Sequence, residues 1–319
     1  MAISVILIVL GFILLIKGAG WLINGSTALA KKHNVSDLVI GLTIVAFGTS
    51  TPELVVNSVA SFQMQSDIVF GNIIGSNIVN LFFILGIAGL VYPITVQSNT
   101  VWKEIPVSIL AIVLLFILSN GFILEGNNVL SRIDGLIILA FFGGFLYYIY
   151  TQVKVERTEN TEISNLEMSN LKIWGYIIIG LTGLVLGGKL VVDNAVKVAE
   201  FLGVSNKIIG LTIVAIGTSL PELMTSVVAA FKKNSDIAIG NVIGSNIFNI
   251  LFILSISALI HPVDFNPSFN TEIYLLTGGT LILFLAMFTG GRKKLDRLEA
   301  AILIVIYLIY LVYLVSKEV

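Results

Sequence analysis

The chain carries one long apolar segment twice. Residues 41–60 read GLTIVAFGTSTPELVVNSVA and residues 210–229 read GLTIVAIGTSLPELMTSVVA, with fourteen of twenty positions identical at a constant offset of 169. The match resumes downstream, where GNIIGSNIVN at 71–80 answers GNVIGSNIFN at 240–249. Each copy sets a glutamate, Glu53 or Glu222, directly after Gly-Thr-Ser-X-Pro in otherwise apolar surroundings. Any fold for this chain must therefore contain two like units and must give two buried carboxylates something to do.

The surroundings are a bilayer. Of 319 residues, 56% are hydrophobic and 12% are charged, outside the usual range for a water-soluble domain. Apolar runs near the ~20 residues of a spanning helix recur at 3–30, 36–61, 68–91, 104–119, 134–151, 173–200, 206–231, 236–260, 271–289 and 298–315. The fold class expected is an all-α polytopic membrane protein of ten transmembrane helices. The first run has no basic start and no small-residue cleavage site, so it reads as a retained helix. The expected organisation is a first five-helix repeat at 1–150, a polar connector at 151–170 and a second repeat at 171–319, with the duplicated regions at 41–90 and 210–260. Five is odd, so the second repeat enters the membrane upside down. An inverted repeat brings equivalent residues together near the bilayer midplane, so Glu53 and Glu222 are expected to face each other.

Orientation follows from Lys and Arg, which short cytoplasmic loops retain. Connections after the first, third, fifth, seventh and ninth runs hold twelve, the opposite side four, with Lys17 and Lys189 inside runs. That bias puts both termini outside the cell membrane and the 151–170 connector, rich in Glu, Asn, Ser and Thr, in the cytoplasm as a flexible link. There is no cysteine, which excludes disulfides and thiolate metal sites.

Within Gly-Thr-Ser-X-Pro-Glu, proline removes a backbone donor and disfavours helical geometry before it. The helix is expected to break there, freeing the carbonyls of Ala46, Thr49, Ala215 and Thr218. Irregular backbone survives at membrane depth only where protein, water or a cation satisfies it. The hydroxyls of Ser50 and Ser219 and the carboxylates of Glu53 and Glu222 add oxygens at helical spacing. In the second block, Ser76 and Asn80, and likewise Ser245 and Asn249, share one helical face. The same serines and asparagines also suit small-residue packing and interhelical hydrogen bonding. Gly71, Gly75, Gly240 and Gly244 repeat at i, i+4, a spacing for close helix approach. Lys189 and Asp193, also i, i+4, can pair. An all-oxygen cage with two carboxylates suits Ca²⁺ and Na⁺, not Zn²⁺ or copper. The only histidines, His33 and His261, fall near helix ends. One Ca²⁺ or two Na⁺ would neutralise the glutamates, and a third Na⁺ would leave the loaded site positive.

These residues, G-T-S-T-P-E and G-T-S-L-P-E each followed by G-S-N-X-X-N, resemble the two alpha repeats of the cation/calcium antiporter superfamily, in its sodium/calcium exchanger branch and of prokaryotic type. The resemblance spans both halves. It implies a ten-helix inverted-repeat transporter with a cluster of four cation sites, moving Ca²⁺ on the Na⁺ gradient by alternating access. Position by position it implies ligands at Ala46, Thr49, Ser50, Glu53, Ser76 and Asn80, and at Ala215, Thr218, Ser219, Glu222, Ser245 and Asn249. Potassium-dependent members carry Asp where this chain has Asn249, so electrogenic, K⁺-independent exchange is expected. The proton-coupled branch has G-N-A-X-E in place of G-T-S-X-P-E; H⁺/Ca²⁺ antiport is the alternative. A pore fits an inverted repeat around a charged central site poorly. An intramembrane hydrolase using an acid pair has no need of the duplicated Ser, Thr and Asn oxygens. No cofactor, nucleic acid or protein partner is expected; the partners are the lipid bilayer and the transported Na⁺ and Ca²⁺.

Overall fold

The computed structural model describes residues 2–122, 128–159, 168–202, 215–289 and 293–318. Its first helix, α1 (Ala2–His33), is followed by α2 (Asp37–Thr49) and α3 (Thr51–Phe62), which meet at a 47° bend. Then come α4 (Ser66–Val91), α5 (Thr100–Ser119) and α6 (Arg132–Glu159). The second half runs α7 (Asn170–Phe201), α8 (Ala215–Thr218), α9 (Leu220–Phe231), α10 (Ser235–Ile260), α11 (Asn270–Ala286) and α12 (Arg297–Glu318). Eight of these helices are long and apolar enough to cross a membrane, and the bent pair α2–α3 makes a ninth span. The run expected at 206–231 is described only from 215 onward.

The bend lies where the sequence places it. Ser50 has φ −82° and ψ 8°, and Pro52 sits in the first turn of α3. Proline tolerates a first turn because the donor it lacks has no partner there anyway. The break is a bend rather than a gap: the Ser50 amide still donates to the Ala46 carbonyl at 3.0 Å, and Leu54 to Ser50 at 3.1 Å.

One boundary differs from the sequence reading. α6 continues to Glu159, nine residues into the expected connector. Gln152, Lys154, Glu156, Arg157 and Glu159 are good helix formers and extend the ladder beyond the apolar part of the span. Residues 160–167, the rest of the connector's centre, lie outside the described residues.

Packing sorts the helices into centre and periphery. In α4 and α10, 78% of the spanning stretch is buried, against 22% in α1. The outer helices expose Ile3, Phe12, Leu110, Tyr147, Ile178 and Val312, a surface that acyl chains solvate and water would not. α1 lies antiparallel along α7, the most extensive helix pair in the molecule. A glycine stripe permits the approach. A Cβ on Gly18 would sit 2.8 Å from the Gly180 carbonyl oxygen, one on Gly180 2.6 Å from the Leu22 nitrogen, and one on Gly187 2.8 Å from the Gly11 carbonyl oxygen. Without a hydrophobic force between helices in lipid, such close backbone contact supplies the attraction. The glycines expected to serve close approach do so in α10, where Gly240 and Gly244 pack against Leu38, Gly41, Leu42 and Ala46 of α2.

Two short antiparallel pairs clip the halves together at the helix ends. β1 (Ile94–Thr95) pairs with β4 (Lys294–Leu295), and β2 (Val129–Leu130) with β3 (Val263–Asp264).

Candidate cation site

Glu53 follows the bend at Ser50 and Glu222 follows Ser219, whose φ of −88° and ψ of 9° repeat those of Ser50, and each glutamate is 1% exposed. Their first oxygens are held from the opposite half. Ser50 Oγ donates to Glu222 Oε1 at 2.9 Å and Ser219 Oγ to Glu53 Oε1 at 3.3 Å, with Ser245 Oγ adding a 3.5 Å contact to Glu222 Oε1. Their second oxygens have no hydrogen-bond partner.

Asn80 and Asn249 flank this centre on α4 and α10. Each sits in a π-helical turn, Val79–Ile84 and Phe248–Ile253, where the amides of Leu85 and Leu254 reach back five residues to the carbonyls of Asn80 and Asn249. Such wide turns are rare and concentrate at functional sites. The side chains are pinned by their nitrogens: Asn80 Nδ2 donates to Asn246 Oδ1 at 3.1 Å and Asn249 Nδ2 to Asn77 Oδ1 at 3.0 Å. Both Oδ1 atoms are left free and buried, as is Ser76 Oγ.

Five buried oxygens from the sequence-derived set therefore lack partners: Glu53 Oε2, Glu222 Oε2, Asn80 Oδ1, Asn249 Oδ1 and Ser76 Oγ. Leaving one buried polar atom unsatisfied costs about 1–3 kcal/mol. Five would rival the whole stability of an ordinary domain, about 5–15 kcal/mol. With the carboxylates ionised, four of the five can only accept, so a cation or a proton donor would complete them. The donor set is hard oxygen throughout, which fits Na⁺ and Ca²⁺ as cargo. Among the described residues no group of three or more His, Cys, Asp or Glu could hold a metal ion, and His33 and His261 stand at helix ends away from the bends.

Thr49 and Thr218 belong to the same cluster. Thr49 Oγ1 lies 3.0 Å from Asn241 Oδ1 and Thr218 Oγ1 lies 3.5 Å from Asn72 Oδ1. One expectation is corrected at Ala46: its carbonyl is not freed by the break, because it accepts the Ser50 amide at 3.0 Å and faces the Thr49 hydroxyl at 3.2 Å. Proline at 52 cannot unpair a carbonyl six residues back; the donor it lacks belongs to Gly48 in helical register. Ala215 opens α8, so its backbone is placed beside Thr218. Lys189 and Asp193, whose spacing allows pairing, are both exposed and form no ion pair among the described residues.

Sequence reasoning passed over four asparagines that assemble the site. Asn77 and Asn246 exchange long side-chain-to-carbonyl bonds of 3.4 Å across the halves and hold Asn249 and Asn80. Asn72 and Asn241 reach from α4 and α10 to the bends. The available signal was the block itself, which repeats three asparagines per half, of which only the last was used.

The contacts are reciprocal. Ser50–Glu222 and Ser219–Glu53, Asn80–Asn246 and Asn249–Asn77, Thr49–Asn241 and Thr218–Asn72 each interchange on adding or subtracting 169. Such a pair of half-sites, with unpartnered acceptor oxygens inside a bundle of apolar helices, is the arrangement of a membrane protein with a candidate cation site.

Comparison with known proteins gives the family. The profile of sodium/calcium exchanger proteins matches residues 3–151 and 172–316, so the chain belongs to the sodium/calcium exchanger family. It is 32% identical over 341 residues to the sodium/calcium exchanger MaX1 of Methanosarcina acetivorans, with 96% of each chain covered. It is 34% identical over 275 residues to the inner membrane protein YrbG of Escherichia coli, covering 84% of this chain and 83% of that one. A solved structure of the sodium-calcium exchanger NCX_Mj, soaked with zero Na⁺ and Ca²⁺, superposes with a TM-score of 0.83 at 35% identity, covering 98% of this chain and all of that one. The chain is a multi-pass, mostly helical membrane protein of that family.

Proposed function

We propose that the protein is a secondary antiporter that exchanges Na⁺ for Ca²⁺ by alternating access, with Glu53 and Glu222 as the central ligands of a shared cation cluster. The observation that carries this reading is that, of the twelve unpartnered buried polar side-chain atoms among the described residues, five are oxygens of residues that the repeated motif singles out, both glutamates among them. Ser50, Ser76 and Asn80, with Ser219, Ser245 and Asn249, supply hydroxyl and amide oxygens around them, and Thr49 and Thr218 supply their carbonyls and, beside these, their hydroxyls. Ala46 and Ala215 contribute carbonyls through their second lone pair. Competition of the two ions for one cluster couples their movements.

The architecture proposed is ten spans in two inverted repeats, 1–150 and 171–319, with α8–α9 completing the tenth. Support comes from the reciprocal contacts and from the antiparallel packing of α1 on its counterpart α7. The Lys and Arg bias supports outside termini and a cytoplasmic connector in the cell membrane. Exchange is proposed to be electrogenic, because three Na⁺ over-neutralise two carboxylates, and K⁺-independent, because position 249 is an amide.

The test is ⁴⁵Ca²⁺ uptake into proteoliposomes loaded with Na⁺, compared with vesicles loaded with K⁺ or choline and with vesicles carrying only a pH gradient. Uptake that requires internal Na⁺ is expected. Uptake on the pH gradient alone would make the protein an H⁺/Ca²⁺ antiporter, and uptake without any counter-ion would make it a channel.

A further inference from the structure

We infer that Asn241 and Asn72 are positioning residues of the cation cluster, each taking the hydroxyl proton of the threonine that the opposite half contributes. The inference rests on the proposal that the hydroxyls of Thr49 and Thr218, and not their carbonyls alone, are cation ligands. A hydroxyl can coordinate a cation only with its hydrogen turned away, so a ligand threonine needs an acceptor for that hydrogen. In a helix the ordinary acceptor is a carbonyl three or four residues back. For Thr49 that carbonyl is Ala46, at 3.2 Å. Ala46 is itself in the proposed ligand set and already accepts the Ser50 amide. Parking the threonine proton there would occupy its second lone pair.

Asn241 removes the conflict. Its Nδ2 lies 3.1 Å from the Glu222 carbonyl oxygen and 2.9 Å from Ser226 Oγ. A backbone carbonyl can only accept, which fixes the amide so that Oδ1 faces Thr49 Oγ1 at 3.0 Å. Within this pair Thr49 is then the donor, and Asn241 Oδ1 at 3.0 Å lies nearer to its hydroxyl than the Ala46 carbonyl at 3.2 Å. The threonine oxygen keeps its lone pairs for the ion, and Ala46 keeps one for the same purpose. Asn241 is fully buried, so no water competes for the proton. Asn72 repeats the device for Thr218 at 3.5 Å, with its own Nδ2 on Asn57 Oδ1 at 3.2 Å. A bond serving only to join helices would be indifferent to which carbonyl the threonine leaves open.

A double-mutant cycle tests this in proteoliposomes, reading the half-saturating Na⁺ and Ca²⁺ concentrations of Thr49→Val, Asn241→Leu and the double variant. Loss of one oriented hydrogen bond predicts a rise of roughly five-fold in half-saturating Na⁺ for Asn241→Leu. The double variant is expected to stay within about two-fold of Thr49→Val alone, since the asparagine acts through the threonine. A Thr49→Val protein with unchanged Na⁺ and Ca²⁺ dependence would remove the Thr49 hydroxyl from the ligand set, leaving only its carbonyl, and the premise with it. If Thr49→Val shifts the ion dependence while Asn241→Leu leaves it unchanged, or multiplies it independently in the double variant, the positioning role is overturned. Thermal unfolding reports whether Asn241→Leu folds; if it does not, the same cycle on Asn72 and Thr218 decides by the same criteria.

Discussion

Glu53 and Glu222 each have one oxygen on a serine of the other half and one oxygen open to the cluster. Replacing either carboxylate by an amide keeps the shape, removes a negative charge and brings a donor into a cage of acceptors. Glu53→Gln and Glu222→Gln are both expected to reduce Na⁺-driven ⁴⁵Ca²⁺ uptake to background, and substantial transport by either would dismiss it as a ligand. The serines grade the effect. A hydrogen bond to a charged group is worth about 1.5–3 kcal/mol, so Ser50→Ala should weaken apparent ion affinity by roughly ten-fold or more. Ser219→Ala, whose bond is longer at 3.3 Å, should cost less. Equal effects in flux titrations would contradict the geometry. Asn249→Asp restores a carboxylate to the cluster and is expected to change the Na⁺ or K⁺ response; no change in either would make Asn249 structural.

At the scale of elements, two helices are shaped by single residues and two by context. Proline and glycine announce the bend in α2–α3, so its place is legible from residues 48–53 alone. The π turns at Asn80 and Asn249 are not: Val-Asn-Leu-Phe-Phe-Ile and Phe-Asn-Ile-Leu-Phe-Ile contain no residue that disfavours an ordinary α turn. In each wide turn the asparagine side chain meets a partner across the interface, 166 or 172 residues away in the chain. The glycine stripe between α1 and α7 makes a sharper prediction. Gly180→Leu would drive a side chain into the backbone at Leu22, where even a Cβ comes within 2.6 Å. Overpacking of that kind costs about 1–3 kcal/mol or more, seen as a fall of several degrees in the unfolding temperature of the detergent-solubilised protein. Gly175→Ala, on the same helix with nothing within 4 Å of its added Cβ among the described residues, should leave that temperature unchanged.

In the whole molecule the two like halves are clasped by reciprocal hydrogen bonds and two strand pairs, and the ten-span inverted arrangement proposed for them would set topology as well as site. Because the chain has no cysteine, single cysteines can report sidedness without background. Ser169→Cys should react with a membrane-impermeant thiol reagent only from the cytoplasmic side, and Asn266→Cys only from outside; both labelled from one side would refute the inverted arrangement. Clamping the membrane potential with valinomycin and K⁺ should change the rate of Na⁺-driven Ca²⁺ uptake, and a rate indifferent to potential would mean electroneutral exchange. By itself the sequence determined the membrane class, the duplication, the bends and the residue types at the centre, because hydropathy, proline and an intramembrane carboxylate act locally and repeat verbatim. Only the tertiary structure decided that Ala46 keeps its helical partner, that Asn80 and Asn249 sit in π turns, that α1 lies against α7 on a glycine stripe, and that asparagines from one half hold the threonines of the other. Each of those outcomes depends on which backbone lies within 3–4 Å across an interface, and residues so far apart in the chain acquire that relation only when the two halves pack.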